Sequence, residues 1–261
     1  MAGLIPAQAR RNNIAQLLLE RDSVSVAELT ARFGVTDTSI RHDLTVLQKA
    51  GKLRRVHGGA VSHLSAGIGN GASARAHENI AEKKAIGQRA AGLIQLGDAV
   101  LFDSGSTVAQ LVLQVPEPLR ASDAITIVTH SLPVIEEVGS WEQPHLICLG
   151  GLYLPTHRAS VGPLTLANLR DLTADVAFLG CDGLTVEGGL TTPHMLIAQV
   201  GAALAASARK VVALADATKL GRAGFTPIVP LEAVDVLVTD QRADRELVAQ
   251  IRAAGVEVIL A

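Results

Sequence analysis

Apolar residues recur at helical spacing in three stretches near the start of the chain. Within each stretch they fall three or four positions apart, which places them on one face of a helix. A turn of four residues, 33–36, separates the second stretch from the third. The pattern therefore predicts three short helices, at residues 7–20, 23–34 and 37–51.

Capping signals mark the ends of the second and third predicted helices. Ser25 and Glu28 have the spacing of a capping box, and Gly34 is a typical terminator. Asp37 is predicted to cap the third helix and Gly51 to end it. Two helices joined by a short turn form a helix-turn-helix, whose second helix enters the major groove of DNA with its N-terminal residues. The candidate DNA contacts there are Thr36, Thr38, Ser39, Arg41 and His42.

The next six residues, 52–57, alternate in the manner of a short strand. Gly58 and Gly59 follow where a tight turn would be. Such a strand would form a wing beside the helices, with Arg54, Arg55 and His57 reaching phosphates or the minor groove. A basic cluster of this kind can also be a solvated face without a partner. The three preceding helices favour the DNA-binding interpretation.

A second kind of pattern begins at residue 99, where short apolar runs rich in β-formers alternate with helical patterns. This alternation predicts a mainly parallel sheet with helices on both faces, and hence an α/β fold. Sheets of this kind bind ligands beyond the carboxyl ends of their strands. The predicted strands are residues 99–103, 125–130, 145–150, 175–180, 210–216, 235–240 and 256–260.

Small and polar residues follow most of these runs and are predicted to meet at one edge of the sheet. After the first run, Gly105 would let a ligand approach the backbone, and the amides of Ser104, Gly105, Ser106 and Thr107 would favour an anion at a helix N-terminus. Alternatively, Asp103 and Ser106 only cap that helix. Lys219 favours the first interpretation, because an ammonium group is a charge partner for phosphate. The other candidates are Thr129, His130, Ser131, Gly150, Gly151 and Asp182, of which His130 could also be a neutral loop histidine.

Charged residues are distributed unevenly along the chain. Residues 1–60 carry nine Lys and Arg against five acids, whereas the rest carries 14 against 20. A basic segment joined to an acidic body is expected of a nucleic-acid-binding module attached to a different domain. Residues 62–74 are rich in Gly, Ser and Ala and show no periodicity, which indicates a flexible linker. The predicted domains are therefore residues 1–61 and 75–261.

Composition excludes several other classes of protein. Hydrophobic residues make up 48% of the chain, enough for a sizeable core, and disorder is not indicated. The sequence has neither a secretory leader nor an apolar run of the roughly eighteen residues that a membrane span needs, so we expect a cytoplasmic protein without membrane contact. Cys148 and Cys181 stand alone in apolar contexts and are predicted to be reduced core thiols, with no metal or cofactor.

Residues 24–61 resemble the N-terminal winged helix-turn-helix of the DeoR family of bacterial transcription regulators. The resemblance is carried by IRHDL, by the pattern L-x-x-A-G-K-L-x-R and by HGGA. Two departures bear on the operator sequence. Asp37-Thr38-Ser39 stands where the family more often has Ser-x-x-Thr, and His42 stands where a second Arg is usual.

The second half, about residues 75–240, resembles the C-terminal sensor domain of the same family, through FDSGST, TIVTHS and KVVALADATKLGRAGF. Such domains look like ribose-5-phosphate isomerase, and the resemblance implies a sugar phosphate or similar effector. It places Asp103 and residues 104–107 on the ligand and its phosphate. It also places Asp182 and Lys219 in the pocket and residues 129–131 on another wall. The family commonly has Asn where His130 stands.

An isomerase of this type must move a proton between carbons, which requires a positioned carboxylate. Its further acids and its lysine are replaced here by Leu184, Thr185, Glu187, Ile197 and Gln199. We therefore expect a regulator, a repressor of sugar or polyol metabolism, that binds its effector without turnover. The alternatives are an isomerase-like enzyme with a DNA-binding head, and a DNA-binding protein whose second domain only oligomerises. The expected partners are double-stranded operator DNA, a phosphorylated sugar or polyol, and further copies of the chain as a dimer or tetramer, because one small module binds DNA weakly.

Overall fold

The computed structural model describes residues 6–20, 23–49, 53–56, 58–62, 78–121 and 124–261. Contacts within the chain divide it into two compact units, Met1–Ser73 and Ala74–Ala261. The predicted linker, 62–74, lies outside the described residues except for Ser62, which is the last residue of a strand. Each unit has its own hydrophobic core.

The first unit contains three helices and a small antiparallel sheet. The helices are α1 (Ala7–Glu20), α2 (Val26–Phe33) and α3 (Asp37–Lys49). The strands are β1 (Ser23–Ser25), β2 (Leu53–Val56) and β3 (Gly59–Ser62), in the order β1-β3-β2. The predicted helix-turn-helix and wing are confirmed. The sequence missed β1, because residues 23–25 pair with β3 instead of beginning the second helix.

The caps of α2 are the predicted ones, whereas the cap of α3 is not. The backbone N–H of Glu28 donates to the Ser25 hydroxyl at 3.1 Å, and Gly34 ends α2 in the left-handed conformation, with φ of 63°. At α3, the Thr36 hydroxyl accepts from the N–H of Ser39 at 3.3 Å. Asp37 lies in the first turn and pairs with Arg41 instead. The prediction of Asp37 as the cap was therefore wrong by one residue.

The core of the first unit contains an ion pair as well as apolar side chains. Ile14, Ile40 and Leu44 are fully buried, as their helical spacing predicts. Among them, the carboxylate of Asp43 accepts from Arg10 at 2.6 Å and from Arg11 at 2.9 Å. Two of the nine basic residues counted toward the DNA-binding segment therefore hold α1 against α3.

The second unit is built on a seven-stranded sheet in the order β15-β14-β12-β9-β4-β5-β6. Every neighbouring pair in this sheet is parallel, which confirms the predicted fold class. Its strands are β4 (Ala99–Phe102), β5 (Thr126–Thr129), β6 (His145–Cys148), β9 (Ala174–Gly180), β12 (Ala208–Leu214), β14 (Val236–Thr239) and β15 (Glu257–Leu260).

Helices cover both faces of this sheet. Alternate side chains of β4 enter different cores: Leu101 packs into one, and Val100 and Phe102 pack into the other. The rings of Phe102 and Phe178 stack with their centroids 5.6 Å apart. The helices are α4 (Ile80–Ala91), α5 (Ser106–Val112), α6 (Glu117–Arg120), α7 (Leu132–Val138), α8 (Pro163–Leu169), α9 (Met195–Ala206) and α10 (Arg245–Ala253).

Two small antiparallel sheets accompany the main one, and neither was predicted. The hairpin of β7 (Leu152–Leu154) and β8 (Ala159–Val161) follows β6. The other sheet contains β10 (Gly183–Thr185), β11 (Gly189–Thr192) and β13 (Thr226–Val229). Their strands, of three or four residues, lie outside the longer apolar runs that predicted the strands of the main sheet.

The order of the strands creates a topological switch point between β4 and β9. From β4 the chain continues outward through β5 to β6, then returns to β9 on the other side of β4 and proceeds through β12 to β14. The connections that leave β4 and β9 therefore diverge, which opens a crevice at the carboxyl ends of these two strands. Ligands in open α/β sheets bind in such a crevice.

The two cysteines differ in their exposure to solvent. Cys148 is exposed on the edge strand β6, so the prediction that it is a core thiol was wrong, whereas Cys181 is half-buried. A run of four apolar-rich residues at a sheet edge has the same sequence pattern as a buried strand.

None of the helices in the described part of the chain is long and apolar enough to cross a bilayer. The described residues also contain no cluster of three or more potential metal ligands.

Candidate functional site

The exposed face of α3 carries most of the predicted DNA contacts. Thr36, Thr38, Arg41 and His42 are exposed, and Ser39 is half-buried. Ile40 lies on the opposite face, in the core. The predicted residues of this helix therefore share one solvent-facing surface, as a recognition helix requires.

The wing adds a basic side chain to this surface. Arg55, on β2, donates to the Thr45 hydroxyl at 2.9 Å, and that hydroxyl donates to the carbonyl oxygen of Arg41 at 2.8 Å. Arg41 itself pairs with the exposed carboxylate of Asp37 at 3.1 Å. The side chain of Arg54 and the whole of His57 lie outside the described residues.

The second site lies at the switch point of the main sheet and is centred on Cys181, at the end of β9. Burial, and next the neighbouring carboxylate of Asp182, raise the pKa of Cys181 to about 12. The carboxylates of Asp216 and Asp103 raise it further, and the ammonium group of Lys219 opposes them. The ends of β4, β9 and β12 thus bring together groups that are more than a hundred residues apart in the sequence.

Asp103, which follows β4, faces the protein and not the solvent. It is 2% exposed, and its two carboxylate oxygens have different partners. Oδ1 lies 2.9 Å from Nε2 of His130, and Oδ2 accepts from the N–H of Gly180 at 3.1 Å. This one side chain therefore connects the ends of β4, β5 and β9.

His130, which follows β5, has protein partners at both ring nitrogens and is fully buried. Nδ1 donates to the carbonyl oxygen of Ser160 at 2.7 Å, and the N–H of Ser104 donates to Nε2 at 3.2 Å. The neighbouring residues Thr129 and Ser131 are also fully buried, and the Thr129 hydroxyl donates to the Phe102 carbonyl. Thr129 and His130 thus hold the strand ends together, whereas the buried hydroxyl of Ser131 has no hydrogen-bond partner among the described residues.

The solvent-facing part of the site is formed by fewer of the predicted residues. Gly105 is exposed, and Ser106, Thr107, Asp182 and Lys219 are half-buried. One oxygen of Asp182 accepts from the hydroxyl of Thr192 at 2.8 Å, which ties β11 to the site. Gly105 caps α5 with φ of 122°, and within the described residues no side chain caps this helix. The alternative in which Asp103 or Ser106 is the cap was therefore wrong.

Gly150 and Gly151 are not part of this cluster. They follow the edge strand β6, which is two strands away from β4. The Gly150 carbonyl accepts from the Thr165 hydroxyl at 2.9 Å, and a Cβ at Gly151 would collide with the same hydroxyl. The missing side chain of Gly151 therefore allows α8 to pack closely on the loop after β6, whereas a Cβ at Gly150 would meet nothing within 4 Å.

Sequence reasoning missed two histidines beside the site. The rings of His157 and His194 meet edge to face, with centroids 5.2 Å apart. The N–H of His194 donates to the Thr192 hydroxyl at 3.4 Å, next to Asp182. His157 lies in the β7–β8 turn and His194 is the residue before α9, so the contact joins a hairpin to the start of that helix. No sequence signal indicates this pairing.

A shallow pocket of about 230 Å³ opens beside the end of β14 and was also missed. Its polar lining includes Glu82, Asp240 and Arg242, and Arg242 pairs with both acids. Burial tends to raise the pKa of Asp240, but hydrogen bonds from the Arg242 side chain and from the N–H groups of Ala217 and Arg242 outweigh it, so the pKa is lowered. The charges in this pocket are therefore satisfied within the protein.

A winged helix-turn-helix together with an α/β unit that has an open crevice at its strand ends defines a ligand-responsive DNA-binding regulator. Residues 78–241 match the family model for the DeoR C terminal sensor domain, and residues 10–66 match that for the DeoR-like helix-turn-helix domain. The chain belongs to the DeoR family of transcriptional regulators.

Individual relatives are similar to this chain over most of its length. The HTH-type transcriptional regulator GlpR of Haloferax volcanii is 33% identical over 98% of this chain and 98% of its own. The transcriptional repressor AccR of Agrobacterium fabrum is 33% identical over 89% of each chain. Among solved structures, ribose 5-phosphate isomerase A from Methanocaldococcus jannaschii matches 55% of each chain with 19% identity and a TM-score of 0.41.

Proposed function

We propose that this protein represses genes of sugar or polyol metabolism by binding operator DNA, and that a phosphorylated sugar or polyol controls it without being turned over. The observation that carries the DNA-binding half is the exposed polar face of α3, joined to the wing through Arg55 and Thr45. Recognition helices read base edges with such a face, and the wing adds phosphate contacts. The site of action would be the cytoplasm, where the operator DNA is.

The effector half of the proposal rests on the charges at the switch point. Lys219 is a half-buried cation whose charge acts on Cys181, as does the charge of Asp103, the residue before the hydroxyl-rich loop that holds Ser106 and Thr107. A cation with neutral donors is suited to phosphate. Asp182 keeps one oxygen free of the Thr192 contact and would accept hydrogen bonds from sugar hydroxyls. The predicted contacts that are buried would act by holding these residues in place.

Binding without turnover is supported by where the carboxylates lie. Both oxygens of Asp103 have protein partners, so this acid is not directed at a substrate. Ile197 is 6% exposed in the core, where an isomerase of this type would have an acid nearby. Glu187 and Gln199 face solvent. Proton transfer between carbons needs a base within hydrogen-bond reach of the substrate.

The protein would act as a homo-oligomer. A single recognition helix gives weak binding that is mostly electrostatic, and two half-sites on one duplex require two linked copies. The exposed apolar side chains around the edge strand β6 support self-association: Ile147, Leu152, Tyr153 and Leu164.

The DNA-binding half is tested by selecting duplexes from random DNA with the full-length protein and then titrating them in gel shifts. Arg41→Ala is expected to weaken binding about 5- to 150-fold, which corresponds to roughly 1–3 kcal/mol for a base contact. Arg209→Ala is the control, because its side chain is 73% exposed on the other unit. Unchanged binding by Arg41→Ala would refute the assignment of α3 to the groove.

The effector half is tested by thermal shift and by a turnover assay with ribose 5-phosphate and glycerol 3-phosphate. An effector at a hundred times its Kd adds about 2.7 kcal/mol of stability, and Lys219→Ala should lose this effect. If no phosphorylated compound raises the Tm, the second unit only oligomerises. If ribose 5-phosphate is isomerised well above the buffer rate, the protein is an enzyme with a DNA-binding head.

A further inference from the structure

His130 is in contact with two groups that make opposite demands on the same nitrogen. Its Nδ1 faces the carbonyl oxygen of Ser160 at 2.7 Å, and a carbonyl oxygen only accepts, so Nδ1 carries a hydrogen. Its Nε2 lies 3.2 Å from the backbone nitrogen of Ser104 and 2.9 Å from Oδ1 of Asp103. The N–H of Ser104 requires a lone pair on Nε2, whereas an ionised carboxylate requires a hydrogen there.

The two demands correspond to two protonation states of the Asp103–His130 pair. When the pair lacks the extra proton, the N–H of Ser104 donates to Nε2, and the Asp103 carboxylate faces a lone pair at 2.9 Å. When one proton lies between Nε2 and Oδ1, the Asp103 contact becomes a hydrogen bond, and the N–H of Ser104 loses its acceptor. The backbone amide at the start of the ligand loop is thus held in one state and released in the other.

We propose that His130 is a positioning residue that couples anion binding to proton uptake: an anionic effector binds the loop that begins at Ser104 when the Asp103–His130 pair has gained a proton. The inference rests on the proposed effector site. It adds that binding of the effector anion is accompanied by proton uptake by the protein. It also gives a different role to a residue that the sequence predicted to be either a ligand contact or a neutral loop histidine.

Charge supports the direction of this coupling. Without the proton the pair carries one negative charge, which repels an incoming anion, and with the proton the pair is neutral. In a buried site this difference is poorly screened, since His130 and Asp103 are 0% and 2% exposed. Proton uptake also releases an N–H donor at the loop where the anion arrives.

Groups from several neighbouring strands surround the pair. From β4 and its loop the His130 ring meets Asp103 and the Ser104 amide, and from β8 it meets the Ser160 carbonyl. From β9, the N–H of Gly180 occupies the other oxygen of Asp103, and the Cys181 thiol stays neutral at physiological pH because its pKa is about 12. Among the described residues, Asp182, Asp216 and Lys219 are the further charges around Cys181.

The test measures the Kd for inorganic sulfate from pH 6 to pH 9 with the full-length protein, by calorimetry. Sulfate is a dianion throughout this range, so any proton that is taken up comes to the protein and not to the ligand. The wild type is expected to bind sulfate more weakly as pH rises, by up to about tenfold per pH unit for uptake of one proton. Calorimetry in two buffers of different ionisation enthalpy should give the same proton count.

His130→Asn is the decisive variant, because an amide keeps one donor and one acceptor but takes up no proton. It is expected to bind sulfate with a Kd that does not change with pH. His194→Asn is the matched control, since it removes another imidazole beside the site and should retain the wild-type slope. The ring ¹⁵N resonances of His130 in the wild type provide a measurement without substitution: Nε2 should change from unprotonated to protonated when sulfate is added.

The outcomes separate the inference from the proposed function. If sulfate binds with a pH-independent Kd, or if His194→Asn and not His130→Asn removes the slope, the coupling is refuted and the effector site stands. If ribose 5-phosphate binds and sulfate does not, the coupling is likewise refuted and the effector site stands. If neither compound binds, the effector site is refuted together with the coupling.

Discussion

The two functional regions of this chain use polar side chains in opposite ways. On α3 the predicted contacts point outward, and the Arg41 side chain is 50% exposed. At the switch point of the sheet, Asp103 is 2% exposed and His130 is 0% exposed, and both bind other protein groups. One region presents its polar groups directly, and the other uses most of them to fix the few that remain accessible.

The difference follows from the kind of partner each region would meet. A DNA duplex is large and presents its own regular array of phosphates and base edges, so a rigid helix with exposed side chains is enough to meet it. A small ligand contacts few atoms, and each must be held in position by supporting hydrogen bonds. A site for a small ligand therefore needs a buried supporting layer that a DNA-binding face does not.

The largest predicted effect is the difference in alkylation rate between the two cysteines. It tests whether the switch-point site is closed to solvent. With a pKa of about 12, Cys181 has a thiolate fraction of about one in ten thousand at pH 8. Its alkylation by iodoacetamide should therefore be about a thousandfold slower than that of an ordinary thiol, while the exposed Cys148 reacts. Mass spectrometry of the native protein measures both. Equal labelling would mean that the switch-point site is open to solvent.

The next effect tests the buried polar cluster of the DNA-binding unit. Asp43→Asn is expected to destabilise that unit by about 3–5 kcal/mol, because the variant weakens a buried acceptor shared by Arg10 and Arg11. Urea denaturation measures the loss. Asp37→Asn is the control, since its pair with Arg41 is exposed and contributes about 1 kcal/mol or less. Similar losses for the two variants would contradict the distinction between buried and exposed pairs.

A smaller effect tests whether damage to the second unit leaves DNA recognition intact. A Cβ at Gly87, on α4, would lie 2.8 Å from backbone atoms of Gln110 and Leu111, so Gly87→Ala should cost about 1–3 kcal/mol. The change should lower the thermal transition of the second unit, as followed by calorimetry, and leave DNA affinity unchanged in gel shifts. Gly92→Ala is the matched control, because the nearest atom to its Cβ, the Arg89 carbonyl oxygen, is 3.4 Å away and its φ is −68°. A loss at Gly92 equal to that at Gly87 would refute the packing explanation.

The smallest effect separates two neighbouring threonines of the recognition region. Thr36→Ala removes the hydroxyl that caps α3 and should cost about 1 kcal/mol of stability. Thr38→Ala lies on the exposed face, so it should change stability by less than about 0.5 kcal/mol and act on DNA affinity instead. Thermal denaturation and gel shifts of both variants check this. If Thr38→Ala is the less stable of the two, the cap is not at Thr36.

The comparison also explains how much the sequence could predict. The helices of the first unit and the seven main strands were predictable, because apolar periodicity reports directly which face is buried. The exposed residues of α3 follow from the same period. By contrast, nothing in the sequence around Asp103 indicates that its partners are His130 and Gly180, since those contacts depend on the strand order. The β7–β8 hairpin, which holds His157, and β11, which precedes His194, lie outside the apolar runs that predicted the main sheet.

The local sequence is also misleading where one type of residue can have either of two structural roles. Asp37 and Thr36 are both good caps, and only the backbone geometry selects Thr36. Cys148 lies in an apolar run that is typical of a central strand, but the run forms the edge strand β6. Gly150 and Gly151 resemble a ligand loop, yet they lie two strands away from β4, and the missing side chain of Gly151 makes room for α8. In each case the partner of the residue depends on the strand order or the backbone geometry, which the local sequence does not show.

The strand order has a consequence for synthesis of the protein on the ribosome. Among the described residues, the core of the DNA-binding unit extends no further along the chain than Ala60, so these residues are translated early. The crevice between β4 and β9 needs Asp103, Asp182 and Lys219 together, and it is incomplete until β12 has emerged. A nascent or truncated chain therefore contains the predicted DNA contacts well before it contains the predicted effector contacts. Premature termination in the second unit would yield a fragment that keeps the recognition helix and lacks the complete crevice.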